Sequence, residues 1–251
     1  MIINHRYRFI FVKTRKVAGT SLEIALSSFC DSGDVVTPVS REDETIRQKL
    51  GYQQPVNWQK KSVFELTRSD LPKLLRLFKR VRVESNRIPA RYYNHMTATE
   101  IAAQVPKEVW DSYYKFTLCR NPWDRMISAY YWTLQLRPEV GERGFTRFLH
   151  ERKSSISENW RAYTENGNII VDEVIKFEDL QSGLSKLSER LSLPGDIGQL
   201  MKDIRAKSAV RPSGRDERET ISWTRETIEL VKQEVPEEIS LFEYQPPEST
   251  V

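Results

Sequence analysis

Apolar and polar positions follow two different periods along this chain, and the same change-over between them recurs three times. "YRFIFVK" (Tyr7–Lys13) is a short apolar run bounded by charge, the pattern of a buried strand. From Thr20, "TSLEIALSSF" places Leu22, Ala25, Leu26 and Phe29 on one side of a helix. "YYKFTLC" (Tyr113–Cys119) is aromatic and β-branched, a second strand. "NPWDRMISAYYWTLQ" follows it, with a proline suited to a first helical turn and no breaker afterwards. "DEVIKFEDL" (Asp172–Leu180) predicts a third strand entering a helix whose Leu180, Leu184, Leu187 and Leu191 form one stripe. Strand, loop and helix in that order, with long gaps between repeats, predict one α/β domain over 1–251. Its core would be a central, mainly parallel sheet flanked by helices, not a helical bundle.

Between these units the signals are more local. "TATE" (Thr97–Glu100) fits a capping box opening a short helix that Pro106 ends or redirects. "SDLPKLLRLFKR" after Ser69 and "SWTRETIELVKQEV" near the end predict capped amphipathic helices, and "ISLFEY" an apolar terminal segment. Residues Asp31 to Lys61 carry mixed charge and turn formers without a period, so we read them as surface elaboration.

The composition narrows this only slightly. With 251 residues, 39% hydrophobic and 29% charged, the chain is long enough for one large core. A net charge of +4 suits an anionic ligand, although a basic face is often a solubility feature alone. Two cysteines, Cys30 and Cys119, are too few for a disulfide framework and sit among apolar residues. There is no run long enough for a membrane span and no signal-peptide core at the start. The expectation is a protein of a reducing cytoplasm, without a membrane span.

The candidate chemistry begins in "KTRKVAGTSLE" (Lys13–Glu23), a cationic loop between the first strand and its helix. Backbone N–H groups at a helix start lack partners and favour an anion. Gly19 allows close approach, Thr20 and Ser21 offer hydroxyl donors, and Lys16 offers a point charge. The bland alternative is a capped helix with surface cations. A nucleoside triphosphatase loop, GxxxxGK[ST], would place lysine directly before the hydroxyl, and here it precedes the glycine. The second loop, "CRNPWDRMISAYY", follows a strand end with Arg120 and sets Ser128 about two turns into the next helix. An arginine and a hydroxyl so placed would grip a second phosphate. Otherwise Arg120 is a salt-bridging surface residue and Ser128 a tolerated helix position.

On these two segments the sequence resembles the sulfotransferases that use 3′-phosphoadenosine 5′-phosphosulfate, in the group of bacterial and carbohydrate enzymes. "RKVAGTS" is similar to their 5′-phosphosulfate loop, with Arg15 in place of a usual proline and Ala18 in place of a common glycine. "RNPWDRMISAYY" resembles their 3′-phosphate motif, and "VIKFEDL" the strand and acidic turn that follow. The resemblance implies a P-loop-like sulfotransferase fold from Tyr7 to about Tyr244, with a bacterial, metal-independent enzyme. Lys16 and the amides of Val17, Ala18, Gly19, Thr20 and Ser21 would hold the 5′ end, and Arg120 and Ser128 the 3′-phosphate. It further implies that "RAKSAVRPSGRDE" closes over the nucleotide through Lys207, Ser208, Arg211 and Arg215, unless that segment is a solvated loop. Residues 31–89 match nothing in the family pattern, and such variable stretches usually hold acceptor recognition.

An attacking hydroxyl needs a base unless it is already acidic. His95 stands in the stretch that supplies a base in several resembling enzymes; its alternative is a ring packed on Tyr92 or Tyr93. Glu23 is the runner-up, its alternative a solvent-facing acid at a helix start. Asp124 and Asp179 read as helix-start and turn residues, and the aromatics Tyr130–Trp132 as core or as an adenine platform. Three scattered histidines make no metal cluster. The acceptor implied is a hydroxyl, first of all on a glycan, an anionic one included; a small-molecule, lipid or tyrosyl hydroxyl is the alternative. A P-loop kinase and a basic nucleic-acid binder, the latter suggested by "KLLRLFKRVRVESNR", are the rival classes. Oligomeric state has no signal in the sequence.

Overall fold

The chain opens with a hairpin in which β1 (Ile2–Asn4) runs antiparallel to β2 (Phe9–Val12), Ile2 opposite Phe11 and Asn4 opposite Phe9. Asn4 shapes the turn: its Oδ1 accepts from the Tyr7 amide at 2.7 Å, and its Nδ2 donates to the Phe29 carbonyl and to Asp34. Residues 5–8 are therefore turn, so the first predicted strand starts at Phe9 rather than Tyr7. A three-residue strand such as β1 is too short to show alternation, which is why pattern reading passes over it.

This computed structural model describes residues 1–58, 91–204 and 221–249. β3 (Val35–Val36) pairs antiparallel with the outer edge of β1. β4 (Tyr114–Cys119) lies parallel to β2, with Val12 opposite Thr117. β5 (Thr164–Glu165) and β6 (Asn168–Ile169) form a separate small hairpin, and β7 (Glu173–Lys176) runs parallel to β4. The sheet order is β3-β1-β2-β4-β7. Among the described strands of this sheet only β1 opposes the others, so the sheet is mainly parallel, as expected. β3 corrects the reading of Asp31–Lys61 as surface elaboration: this part supplies a sheet strand. It is followed by the helix Arg41–Lys49, capped by Ser40, with Asp43 and Arg47 buried. The helix predicted after Ser69 lies outside the described residues.

β2 is apolar on both faces because helices cover both. Phe9 and Phe11 join Phe116, Leu118, Leu22 and Leu184 in one core cluster; Ile10 and Val12 join Trp123, Met126 and Leu149 in another. The helix Gly19–Leu26 leaves β2 toward the first face, and the helix Pro122–Leu136 leaves β4 toward the second. Neighbouring parallel strands whose helices diverge to opposite faces leave a crevice at their carboxyl ends, the usual place for a ligand in an open α/β sheet.

Local signals account for some of the helix starts. Asn121 accepts from the Trp123 amide at 3.0 Å with Pro122 in the first turn, and Thr97 and Glu100 complete the capping box. The helix Ala98–Ala102 ends before Pro106 is reached, so this proline does not end it; it stands at the N-cap position of the next helix, Lys107–Ser112. Cys30 and Cys119 are both free thiols.

Candidate active site

The first loop is fastened to β4 before it reaches its helix. The Thr14 hydroxyl donates to the Leu118 carbonyl at 2.6 Å. Asn159 takes the amide and carbonyl of Arg15, each at 2.8 Å. Lys16 and Ala18 then adopt left-handed backbone, φ 62° and 61°. Each costs a non-glycine residue about 1–2 kcal/mol, which explains why glycine suits position 18. The turn brings the first amides of the helix Gly19–Leu26 round to the crevice with no side-chain cap, the Leu22 amide making the first helical bond to Ala18. A Cβ on Gly19 would sit 3.2 Å from Lys13 Cγ and 3.3 Å from the Thr14 carbonyl, so a side chain here would crowd the residues that follow β2. Thr20 is half-buried and Ser21 buried beside it.

The second loop meets the first directly. Arg120 Nη1 donates to the Lys16 carbonyl at 3.0 Å. The same guanidinium pairs with Asp124 and lies over the Phe177 ring, 4.4 Å from its centroid. Arg120 is 2% exposed, so it is no surface ion pair. Phe177 belongs to the "FED" turn after β7, which joins the third segment to the other two; the Glu178 carboxylate accepts from the Asn121 amide at 2.8 Å. Ser128 is half-buried in the helix that follows, one turn before Trp132. The Lys16 ammonium stands 4.8 Å from the centre of the Trp132 indole, so this helix face looks onto the first loop. Of the three aromatics, Tyr130 is core and Trp132 faces the Lys16 ammonium.

His95 completes the group. Its Nδ1 lies 3.1 Å from the Lys13 carbonyl, at the end of β2, so its ring is tied to the loop and not simply packed on Tyr92 or Tyr93. A carbonyl only accepts, so Nδ1 carries the proton and Nε2 keeps its lone pair. Burial, reinforced by the positive charges of Lys13 and Arg15, lowers its pKa to about 3, and the ring is neutral at ordinary pH. The other histidines are elsewhere: His5 bonds the Tyr113 hydroxyl, and His150 pairs with Glu226.

Glu23 departs from both of its sequence readings. It is fully buried; Lys13 Nζ donates to one oxygen at 2.6 Å, and the Thr37 hydroxyl and Met1 amino group donate to the other at 2.9 and 3.0 Å. Arg47 approaches at 3.9 Å. Burial alone would raise its pKa, but Lys13, the Met1 amino group and Arg47 outweigh burial and hold it at about 2. Such a carboxylate is neither a solvent-facing acid nor a base ready to take a proton. It is the anion that lets Lys13 be buried under the loop. Glu23→Ala should cost about 3–5 kcal/mol in denaturant unfolding, because buried cations lose their partner; a loss below about 0.5 kcal/mol, the range of surface changes, would contradict this role. Because the folded pKa lies below the ordinary 4.5, this stabilisation is complete above that pH and disappears as pH falls toward 2.

Lys207, Ser208, Arg211 and Arg215 lie outside the described residues. Sequence reasoning missed Lys13 and Asn159, whose contacts join positions 10 and 144 residues apart.

The family model described as "Sulfotransferase family" matches residues 1–245. The chain belongs to this family: it is a sulfotransferase, an enzyme that passes a sulfuryl group from a sulfate donor to a hydroxyl acceptor. A protein of Archaeoglobus fulgidus described as uncharacterized is 26% identical over 117 residues, covering 45% of this chain and 92% of that protein. No solved structure matches. No helix among the described residues is long and apolar enough to cross a membrane.

Proposed function

We propose that the crevice binds 3′-phosphoadenosine 5′-phosphosulfate and passes its sulfuryl group to an alkyl hydroxyl, most naturally on a carbohydrate. The observation that carries this reading is the Arg120–Lys16 hydrogen bond at 3.0 Å, which sets the two anion loops against each other at the ends of adjacent parallel strands. The uncapped amides from Val17 to Ser21, with the hydroxyls of Thr20 and Ser21, cradle the 5′-phosphate. Arg120 and Ser128 take the 3′-phosphate. The acceptor oxygen attacks sulfur in line, the bond from sulfur to the bridging oxygen breaks, and Lys16 neutralises the negative charge appearing on that oxygen. The acceptor proton passes to His95 Nε2. No step requires a metal ion.

A base held in one tautomer favours an alkyl acceptor. A phenol, with a pKa near 10, ionises readily, whereas a sugar or lipid hydroxyl needs its proton removed during attack. The basic loop residues and Trp132 favour a sugar, including an anionic one, over a lipid. Residues 31–89 are the candidate for acceptor recognition.

Adenosine 3′,5′-bisphosphate, the product nucleotide, should raise the melting temperature well above the shift given by ADP or AMP, since only it fills both phosphate positions. Differential scanning fluorimetry checks this. Equal shifts for ADP would instead favour a nucleoside triphosphate enzyme.

A further inference from the structure

Lys16 sits on backbone that a lysine does not choose, at φ 62°, and something must hold it there. The residue before it supplies the handle. Arg15 brings an N–H that a proline at this position would lack, and this N–H finds an acceptor. Asn159 Oδ1 accepts that N–H at 2.8 Å, while Asn159 Nδ2 donates to the Arg15 carbonyl at 2.8 Å. One side-chain amide thus satisfies both polar groups of one backbone residue, as a neighbouring strand would. Asn159 is 1% exposed, on the short helix Glu158–Tyr163. The adjacent Glu158 reaches the Arg15 guanidinium at 3.3 Å, a more exposed contact of small weight.

We infer that Asn159 is a positioning residue for sulfuryl transfer: its two-pronged hold on Arg15 fixes the backbone from which Lys16 reaches the leaving oxygen. This rests on the donor-site reading above. The residue type is demanded by the geometry. An aspartate accepts from the Arg15 N–H but turns a second oxygen toward the Arg15 carbonyl, and a serine cannot span both groups. With Thr14 tied to Leu118 and the Lys16 carbonyl tied to Arg120, the Asn159 hold completes an unbroken series of fastenings at residues 14, 15 and 16. Asn159 lies behind the loop and touches no reacting atom in this scheme.

The test compares Asn159→Ala with wild type, and Asn159→Asp serves where alanine fails to fold, being nearly the same size. Amide hydrogen exchange is measured on the nucleotide-free protein, and binding is measured for adenosine 3′,5′-bisphosphate and for 3′-AMP. Exchange over residues 14–21 should quicken about tenfold, with helix 122–136 unchanged. Affinity for the bisphosphate should fall about tenfold, while 3′-AMP, held through Arg120 and Ser128, stays within about twofold. Unchanged exchange over 14–21 overturns the inference, as does an equal loss for both nucleotides, which marks general destabilisation. If the wild-type protein binds the bisphosphate no better than 3′-AMP, the donor reading fails, and the exchange result still decides whether Asn159 holds the loop.

Discussion

Replacing Lys16 with alanine is expected to lower sulfuryl transfer by about 10²–10³-fold, the range seen when one preorganised donor to a developing oxyanion is lost. Lys16 leaves β2 through the first loop, its carbonyl is held by Arg120, and its ammonium lies against Trp132 at 4.8 Å. In the proposed donor complex Lys16 neutralises the bridging oxygen as it departs, so the loss should fall on turnover far more than on donor binding. Lys16→Arg keeps the charge but spreads it over a planar fork, and should recover only part of the rate. The check is transfer of labelled sulfate from donor to acceptor under saturating donor. Near-normal turnover in the alanine variant would remove Lys16 from the mechanism.

His95→Ala should cost about 10²–10⁴-fold in rate with donor affinity preserved, the usual span for a positioned general base. The sign of its pH dependence is fixed by its surroundings. A histidine whose pKa is lowered to about 3 by burial and by nearby Lys13 and Arg15 stays neutral, and thus competent, well below the ordinary value of 6.5. The acid limb of kcat/KM, which reports the free enzyme, should therefore fall well below pH 6.5 in wild type, and the limb should vanish in the variant. Bound donor adds negative charge near the imidazole, so the limb of kcat should lie at higher pH than that of kcat/KM. A collapse of donor affinity in His95→Ala would instead make the histidine a prop for the nucleotide loop.

Much of this site was written in short stretches of sequence. The strand–loop–helix units at Gly19 and Arg120 announce themselves through apolar runs, a proline in a first turn and hydroxyls at a helix start, all within a few residues. The parallel sheet then places both loops at one edge, Val12 beside Thr117. Elements without local periodicity stayed hidden: β1 is three residues, β3 is two, and neither can show alternation. Glu23 reads in the sequence as a runner-up base or a solvent-facing acid because the cations that bury it, Lys13 and Arg47, come from other elements. Asn159 gives no signal at all, since a buried asparagine on a short helix is distinguished only by what it meets 144 residues away. Trp132 sits at helical spacing with core residues, and only the fold shows it turned toward Lys16.

The donor-binding and catalytic roles proposed for Lys16, Arg120, Ser128 and His95 require one nucleotide to span the space between Gly19 and Arg120. The structure of the complex with adenosine 3′,5′-bisphosphate measures this directly. The 5′-phosphate should rest on the amides of Gly19, Thr20 and Ser21, and the 3′-phosphate should contact Arg120 and Ser128. A nucleotide lodged elsewhere, or one reaching a single loop with its other phosphate in solvent, would contradict the account.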